Sequence, residues 1–138
     1  MAASKILLTE LDRCRLGTLL SASESAGIGA ARARYQLEQK VNDAQSIAAE
    51  RAPRSLVTMN SKVRLVDLAT GQTLVRTLVY PEDQELLADS VSVLQDLGRR
   101  LLGQRRGAVI QVEQRGKPRW YKIAAIVYQP EEAGELRL

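Results

Sequence analysis

The sequence predicts an α+β protein in which an antiparallel helical hairpin, residues 1–52, precedes a mostly antiparallel sheet domain with one short helix, residues 53–138. Two observations carry that prediction. Apolar residues recur at helical spacing up to residue 50, and beyond Pro53 the chain changes to short runs of β-branched and aromatic residues. A third bounds it: 138 residues suit one ordinary domain or a domain with an appendage, and a core of that size needs no metal or disulfide.

In the first segment Leu8, Leu11, Leu16, Leu19 and Leu20 share one face at about 100° per residue. Thr9 followed by Asp12 reads as a variant capping box that starts the helix. Residues 21–27 (SASESAG) then supply a turn, and Leu37, Val41, Ala44 and Ala48 carry a second helix through the Ala-, Gln- and Glu-rich stretch that follows. A short connection between two such helices predicts antiparallel packing of their narrow stripes. At its tip stand Ser23, Glu24 and Ser25.

In the second segment Val63–Val66, Thr73–Tyr80, Val91–Leu94, Val109–Val112 and Trp120–Tyr128 read as strands. Residues 67–71 (DLATG) and 115–118 (RGKP) are turns between strand pairs. Asp96 is placed to cap a short helix over 97–102, closed by Gly103. No internal repeat or low-complexity tract interrupts this order.

Composition excludes several chemistries. There is no histidine, which removes Ser-His-Asp and Cys-His activation, His-ligated zinc and phosphohistidine transfer. A single cysteine, Cys14, forms neither an internal disulfide nor a thiolate cluster. The adjacent acids Glu10 and Asp12, Glu82 and Asp83, and Glu131 and Glu132 point to different sides of their elements, so they read as solvated charges and not as metal ligands. The spacing of Gly98, Gly103 and Gly107 does not match a phosphate loop. The expectation is a non-enzyme with no cofactor, no metal and no small-molecule substrate. Residues 1–12 hold too short an apolar run for a signal peptide and no run is long enough to span a membrane, so a cytoplasmic protein without a membrane partner is expected.

Charge is unevenly distributed. Residues 82–96 carry five acids and no base, whereas residues 99–122 carry eight bases against Glu113 alone. One reading makes Arg99, Arg100, Arg105, Arg106, Lys117 and Arg119 weak contacts to DNA or RNA, with Trp120 and Tyr121 as stacking rings. The other makes them a solvated strand edge and helix face paired with the acids before them, and this is the favoured reading.

Several runs carry a family resemblance. Residues 63–71 (VRLVDLATG), Tyr80-Pro81, and residues 97–103 (LGRRLLG) with Gly107 resemble the C-terminal domain of the bacterial Gre transcript-cleavage factors. Residues 57–61 (VTMNS), 75–81 (VRTLVYP) and 128–131 (YQPE) resemble more closely the Gre-related Rnk family, regulators of nucleoside diphosphate kinase with a shortened helical hairpin. The resemblance implies an FKBP-like domain behind a short coiled coil, docked on bacterial RNA polymerase at the rim of the secondary channel. Gre factors push an acidic hairpin tip into that channel to cleave backtracked RNA; Rnk proteins are held to compete for the rim without cleavage. The positions matching the Gre rim contact, an Asp-Ser-Pro run, are here Leu94, Gln95 and Asp96, followed by Leu97.

The residues agree with the second role. A helix of about 22 residues reaches only ~33 Å, and the turn offers one carboxylate, Glu24, where metal sharing needs two. A chain with no Phe lacks the aromatic lining of a peptidyl-prolyl isomerase pocket. Without histidine it is not itself the kinase, and any effect on that kinase is expected to be indirect.

Overall fold

Each β-branched run after Pro53 contributes a strand, but the third covers only Ser90–Ser92, which leaves Val93 and Leu94 in a turn, and the last starts at Lys117, ahead of Trp120. The computed structural model describes residues 6–21, 28–84 and 88–135. After a short strand β1 (Leu7–Thr9) come helices α1 (Glu10–Ser21) and α2 (Ile28–Asp43), then strand β2 (Gln45–Ile47) and a 3-10 turn at Ala49–Arg51. The rest of the chain forms β3 (Lys62–Asp67), β4 (Thr73–Val79), β5 (Ser90–Ser92), α3 (Asp96–Leu101), β6 (Val109–Gln114), β7 (Lys117–Tyr128) and α4 (Pro130–Ala133).

The first segment departs from expectation at its ends. The second helix stops at Asp43, and β2 turns back to lie parallel to β1, with Leu7 opposite Gln45 and Thr9 opposite Ile47. Helix propensity in Ala48, Ala49 and Glu50 loses to this pairing, which joins residues 38 apart in sequence. At one end of α1 the Arg13 guanidinium donates to the Ala44 carbonyl; at the other Arg34 reaches the Leu20 carbonyl at 2.9 Å, so the two helices run antiparallel. The stripes hold in part: Leu16, Leu37 and Val41 are buried and Leu19 and Leu20 pack at the margin, but Leu8 is buried from strand β1, Leu11 is only half-buried outside the core, and Ala44 and Ala48 lie beyond the end of α2. Ser23, Glu24 and Ser25 lie outside the described residues.

The five-stranded sheet has the order β5-β4-β3-β7-β6. All neighbours are antiparallel except β4 and β5, which are parallel. Side chains alternate along β3, with Val63, Leu65 and Asp67 buried and Arg64 exposed. The β3–β7 register shifts at two points, each adding a residue to β7, and such bulges curl a sheet. Its inner face and the two helices share one core, in which Leu16 and Leu37 join Val57, Met59, Leu65, Leu78, Leu101 and Ile123.

α3 sits on the sheet through Gly98. A methyl group there would overlap the Ser92 carbonyl at the end of β5, so only glycine permits the close approach. Gly103, at φ +81°, ends the helix as expected and lies against Ile6 and Leu7. Asp96 is the first residue of the helix and Gln95 precedes it as the cap, one position earlier than the sequence reading. The cause is a tight Ser92–Gln95 turn: Gln95 N donates to the Ser92 carbonyl at 2.9 Å, and Ser92 N donates to Gln95 Oε1 at 2.9 Å.

Candidate functional site

Leu94, Gln95 and Asp96, which the resemblance sets at the Gre rim-contact positions, and the Leu97 that follows form one continuous feature, the turn from β5 into α3. Leu94 is half-buried against the core; its N–H donates to Ser92 Oγ at 3.1 Å and its carbonyl accepts from Arg99. Gln95 is exposed and Leu97 is buried. Gln95, Asp96 and Leu97 line a groove of about 470 Å³ that continues over Ser90 and Val91 of β5, Arg76 of β4, and Val112, Glu113 and Gln114 of β6. Leu94 lies behind it, on the core side.

Asp96 holds this surface together. One carboxylate oxygen accepts from Arg99 at 3.2 Å and faces Arg100 at 3.5 Å, while the other accepts from the Glu113 backbone N–H at 2.9 Å. The side chain thereby ties α3 to β6 across the groove. Spacing had shown only a cap; the partner on β6, 17 residues away, had no local signal.

Half of the six basic residues singled out in the sequence are paired with acids and the other half are exposed. Arg99 and Arg100 are committed to Asp96, and Arg119 pairs with Asp67 at 2.6 Å. Asp67 also accepts from the Ala69 N–H at 2.8 Å, and these hydrogen bonds, Ala69 foremost, hold its carboxyl below the ordinary range. Arg105 and Arg106 are exposed beside residues 55 and 56, and Lys117 is exposed at the start of β7. The two expected stacking rings are separated by strand alternation. Trp120 is 46% exposed, but Tyr121 points to the opposite face and is 4% exposed, so it cannot stack on a base.

A second polar cluster went unread. Asp12, taken from its spacing as a helix cap and a solvated acid, is 2% exposed. Its N–H does donate to Thr9 Oγ1 at 3.0 Å, but its carboxylate accepts from the Met59 N–H at 3.0 Å, 47 residues away. Burial pushes the Asp12 carboxyl up to about 7, and the nearby charge of Glu131 adds to that. Thr58 Oγ1 donates to Glu131 at 2.6 Å and shares a 2.8 Å hydrogen bond with Ser61. Gln129, 2% exposed, donates to the carbonyls of Pro53 at 2.7 Å and Leu56 at 2.9 Å. The runs 57–61 and 128–131 thus meet beside α1, where they fasten the helical segment to the sheet. Among the described residues, no three acids or cysteines come together to hold a metal.

Residues 52–128 match the family described as transcription elongation factor GreA/GreB, C-terminal. Over the full length of both proteins the chain is 35% identical to the regulator of nucleoside diphosphate kinase of Escherichia coli K12. It is 29% identical over 94 residues to the transcription elongation factor GreA of Methylococcus capsulatus, covering 67% of this chain and 60% of that one. Among solved structures, a prokaryotic transcription elongation factor GreA/GreB from Nitrosomonas europaea superposes with a TM-score of 0.74 at 31% identity, covering 91% of this chain and all of that one. No helix among the described residues is long and apolar enough to cross a membrane. With its fold, its sheet domain and its full-length similarity in agreement, the chain belongs to the GreA/GreB family, and within it to the regulators of nucleoside diphosphate kinase.

Proposed function

We propose that the protein is a non-catalytic transcription regulator that docks on bacterial RNA polymerase at the rim of the secondary channel and competes there with Gre-type factors. In this reading residues 53–138 are an FKBP-like docking domain and residues 1–52 a short coiled-coil probe. The observation that carries it is the groove at the β5–α3 turn. Of the residues at the family's contact positions, Gln95, Asp96 and Leu97 line that groove, with Asp96 bracing α3 against β6, which supports docking without rearrangement. The probe is short: α1 and α2, at 12 and 16 residues, span about 18 and 24 Å. With Glu24 the sole acid of residues 22–27, it supports obstruction and not metal-assisted cleavage. An effect on nucleoside diphosphate kinase then follows from altered transcription.

The test is titration of labelled protein with core RNA polymerase, with and without excess Gre factor, alongside a transcript-cleavage assay. Saturable binding displaced by the competitor, without cleavage, is expected. Glu113→Arg reverses a charge on the exposed groove wall and leaves the backbone N–H that Asp96 uses, so it is expected to weaken docking with an unchanged melting curve. Unchanged docking would move the contact off this groove. Binding of free DNA or RNA with a steep salt dependence would instead favour the basic stretch.

A further inference from the structure

On another side of α3 lies a second groove, of about 540 Å³, between α2, α3 and β6. The residues Tyr35, Gln36, Gln39 and Lys40 of α2 reach it at helical spacing, and Arg99 and Arg100 close it from α3. Its floor and far wall, from Ile6, Gln104 and residues 109–111, carry no charge, and no carboxylate lines it.

Lys40 is the unusual member. Its ammonium donates to the backbone carbonyls of Arg99 and Arg100, at the end of α3, and among the described residues no carboxylate lies within ion-pairing distance. The charged groups facing it are the Arg99 and Arg100 guanidiniums. Burial, and then those two charges, lower the Lys40 ammonium to about 7. Arg99 and Arg100 share a single carboxylate, Asp96, which lies in the other groove, and Lys40 has none of its own. Carbonyl contacts explain where Lys40 sits; with no anion beside it the charged form is costly and the proton is easily lost, and an anion in the groove would restore it.

We propose that this groove binds a mononucleotide bearing a diphosphate or triphosphate, with the phosphates at Lys40 and Arg100 and the base against Tyr35. A singly charged ligand would leave excess positive charge, whereas a diphosphate neutralises it. The volume lies in the range of small-molecule sites. Tyr35, 62% exposed, presents a ring for stacking, and the amides of Gln36 and Gln39 present donors and acceptors to a base edge. This ligand is an effector and not a substrate, and its binding is tested on the free chain, apart from docking on polymerase.

The test is calorimetric titration of the full chain at pH 8 and constant ionic strength with ADP, GDP, pyrophosphate and a short single-stranded RNA, in two buffers of different protonation enthalpy. Saturable binding of a nucleoside diphosphate is expected, about tenfold tighter than pyrophosphate, with uptake of about one proton as the anion recharges Lys40. The free diphosphate is already ionised at that pH, so protons taken up come to the protein. Gln39→Glu, at an exposed helix position, places a negative charge in the groove and is expected to weaken binding about tenfold or more. Lys40→Met is expected to abolish the proton uptake. No saturable nucleotide binding, binding retained in full by Gln39→Glu, uptake unchanged in Lys40→Met, pyrophosphate binding as tightly as the nucleotides, or binding of RNA alone would each overturn the proposal.

Discussion

Two polar clusters brace this protein, and they are built oppositely. At the junction of helices and sheet, Asp12 is almost wholly buried, receives the Met59 backbone N–H and is pushed up to about 7. At the β5–α3 turn, Asp96 is half-exposed and receives two guanidiniums and a backbone N–H. Burial thus raises Asp12 because its few donors do not replace the lost water. The contrast assigns different work to each. The junction holds architecture and tolerates a proton in place of a charge, whereas the turn holds a surface in register and keeps its charge partly available to solvent.

Predictions that break or sharpen this contrast range from large to small effects. The largest concerns pH. Asp12 is held above its unfolded value of 3.8, so the native state keeps a proton that the unfolded chain has lost. The stability this contributes is fully present below about pH 4 and is lost as pH rises through about 7, with a linkage ceiling of about 4 kcal/mol. Urea titrations across that range are expected to show the decline in the natural chain and not in Asp12→Asn, which keeps an acceptor for Met59. Equal slopes in both would mean that the charge of Arg15 already outweighs burial and keeps Asp12 ionised.

Gly98→Ala drives a methyl group into the Ser92 carbonyl and is expected to cost about 3 kcal/mol by thermal or urea unfolding, because backbone cannot yield as a side chain would. A cost below about 1 kcal/mol would show that α3 is not rigidly seated. Asp96→Ala, which removes part-exposed contacts, is expected to cost about 1 kcal/mol of stability while weakening polymerase docking more than its stability loss explains. Equal effects on both would make Asp96 a structural residue only. Smallest of all, Arg54→Ala breaks an ion pair with Glu132 whose side chains are 84% and 47% exposed, and is expected to change the melting curve by less than about 0.5 kcal/mol.

The sheet was legible because its signals are local. Strand β4 begins at Thr73 and β6 at Val109, as their β-branched runs indicated, and the turns join the expected pairs, although the second is only Arg115-Gly116 because Lys117 and Pro118 already pair in β7. Family-bearing runs were legible too, but not their purpose. Residues 57–61 and 128–131 stand far apart in the chain, and only their meeting through Thr58 and Glu131 shows that they clamp the helices. Of the groove proposed for docking, the positions of Leu94 to Leu97 could be read, while the β6 wall and the contacts of Asp96 could not.

By itself, the order of residues determined a helical first segment followed by a strand-rich second one, the main buried leucines of the helices, and the absence of histidine chemistry. These depend on neighbours within a turn or a strand, whose spacing is written in the chain. Only the tertiary structure decided where the second helix ends, which acid is buried, which aromatic ring faces out and which cations are already paired. Each of those outcomes depends on a partner from a distant segment: Leu7–Thr9 for the end of α2, Met59 for Asp12, the sheet's inner face for Tyr121, and Asp67 for Arg119. Desolvation and pairing set their energies, and both exist only once the chain has closed on itself.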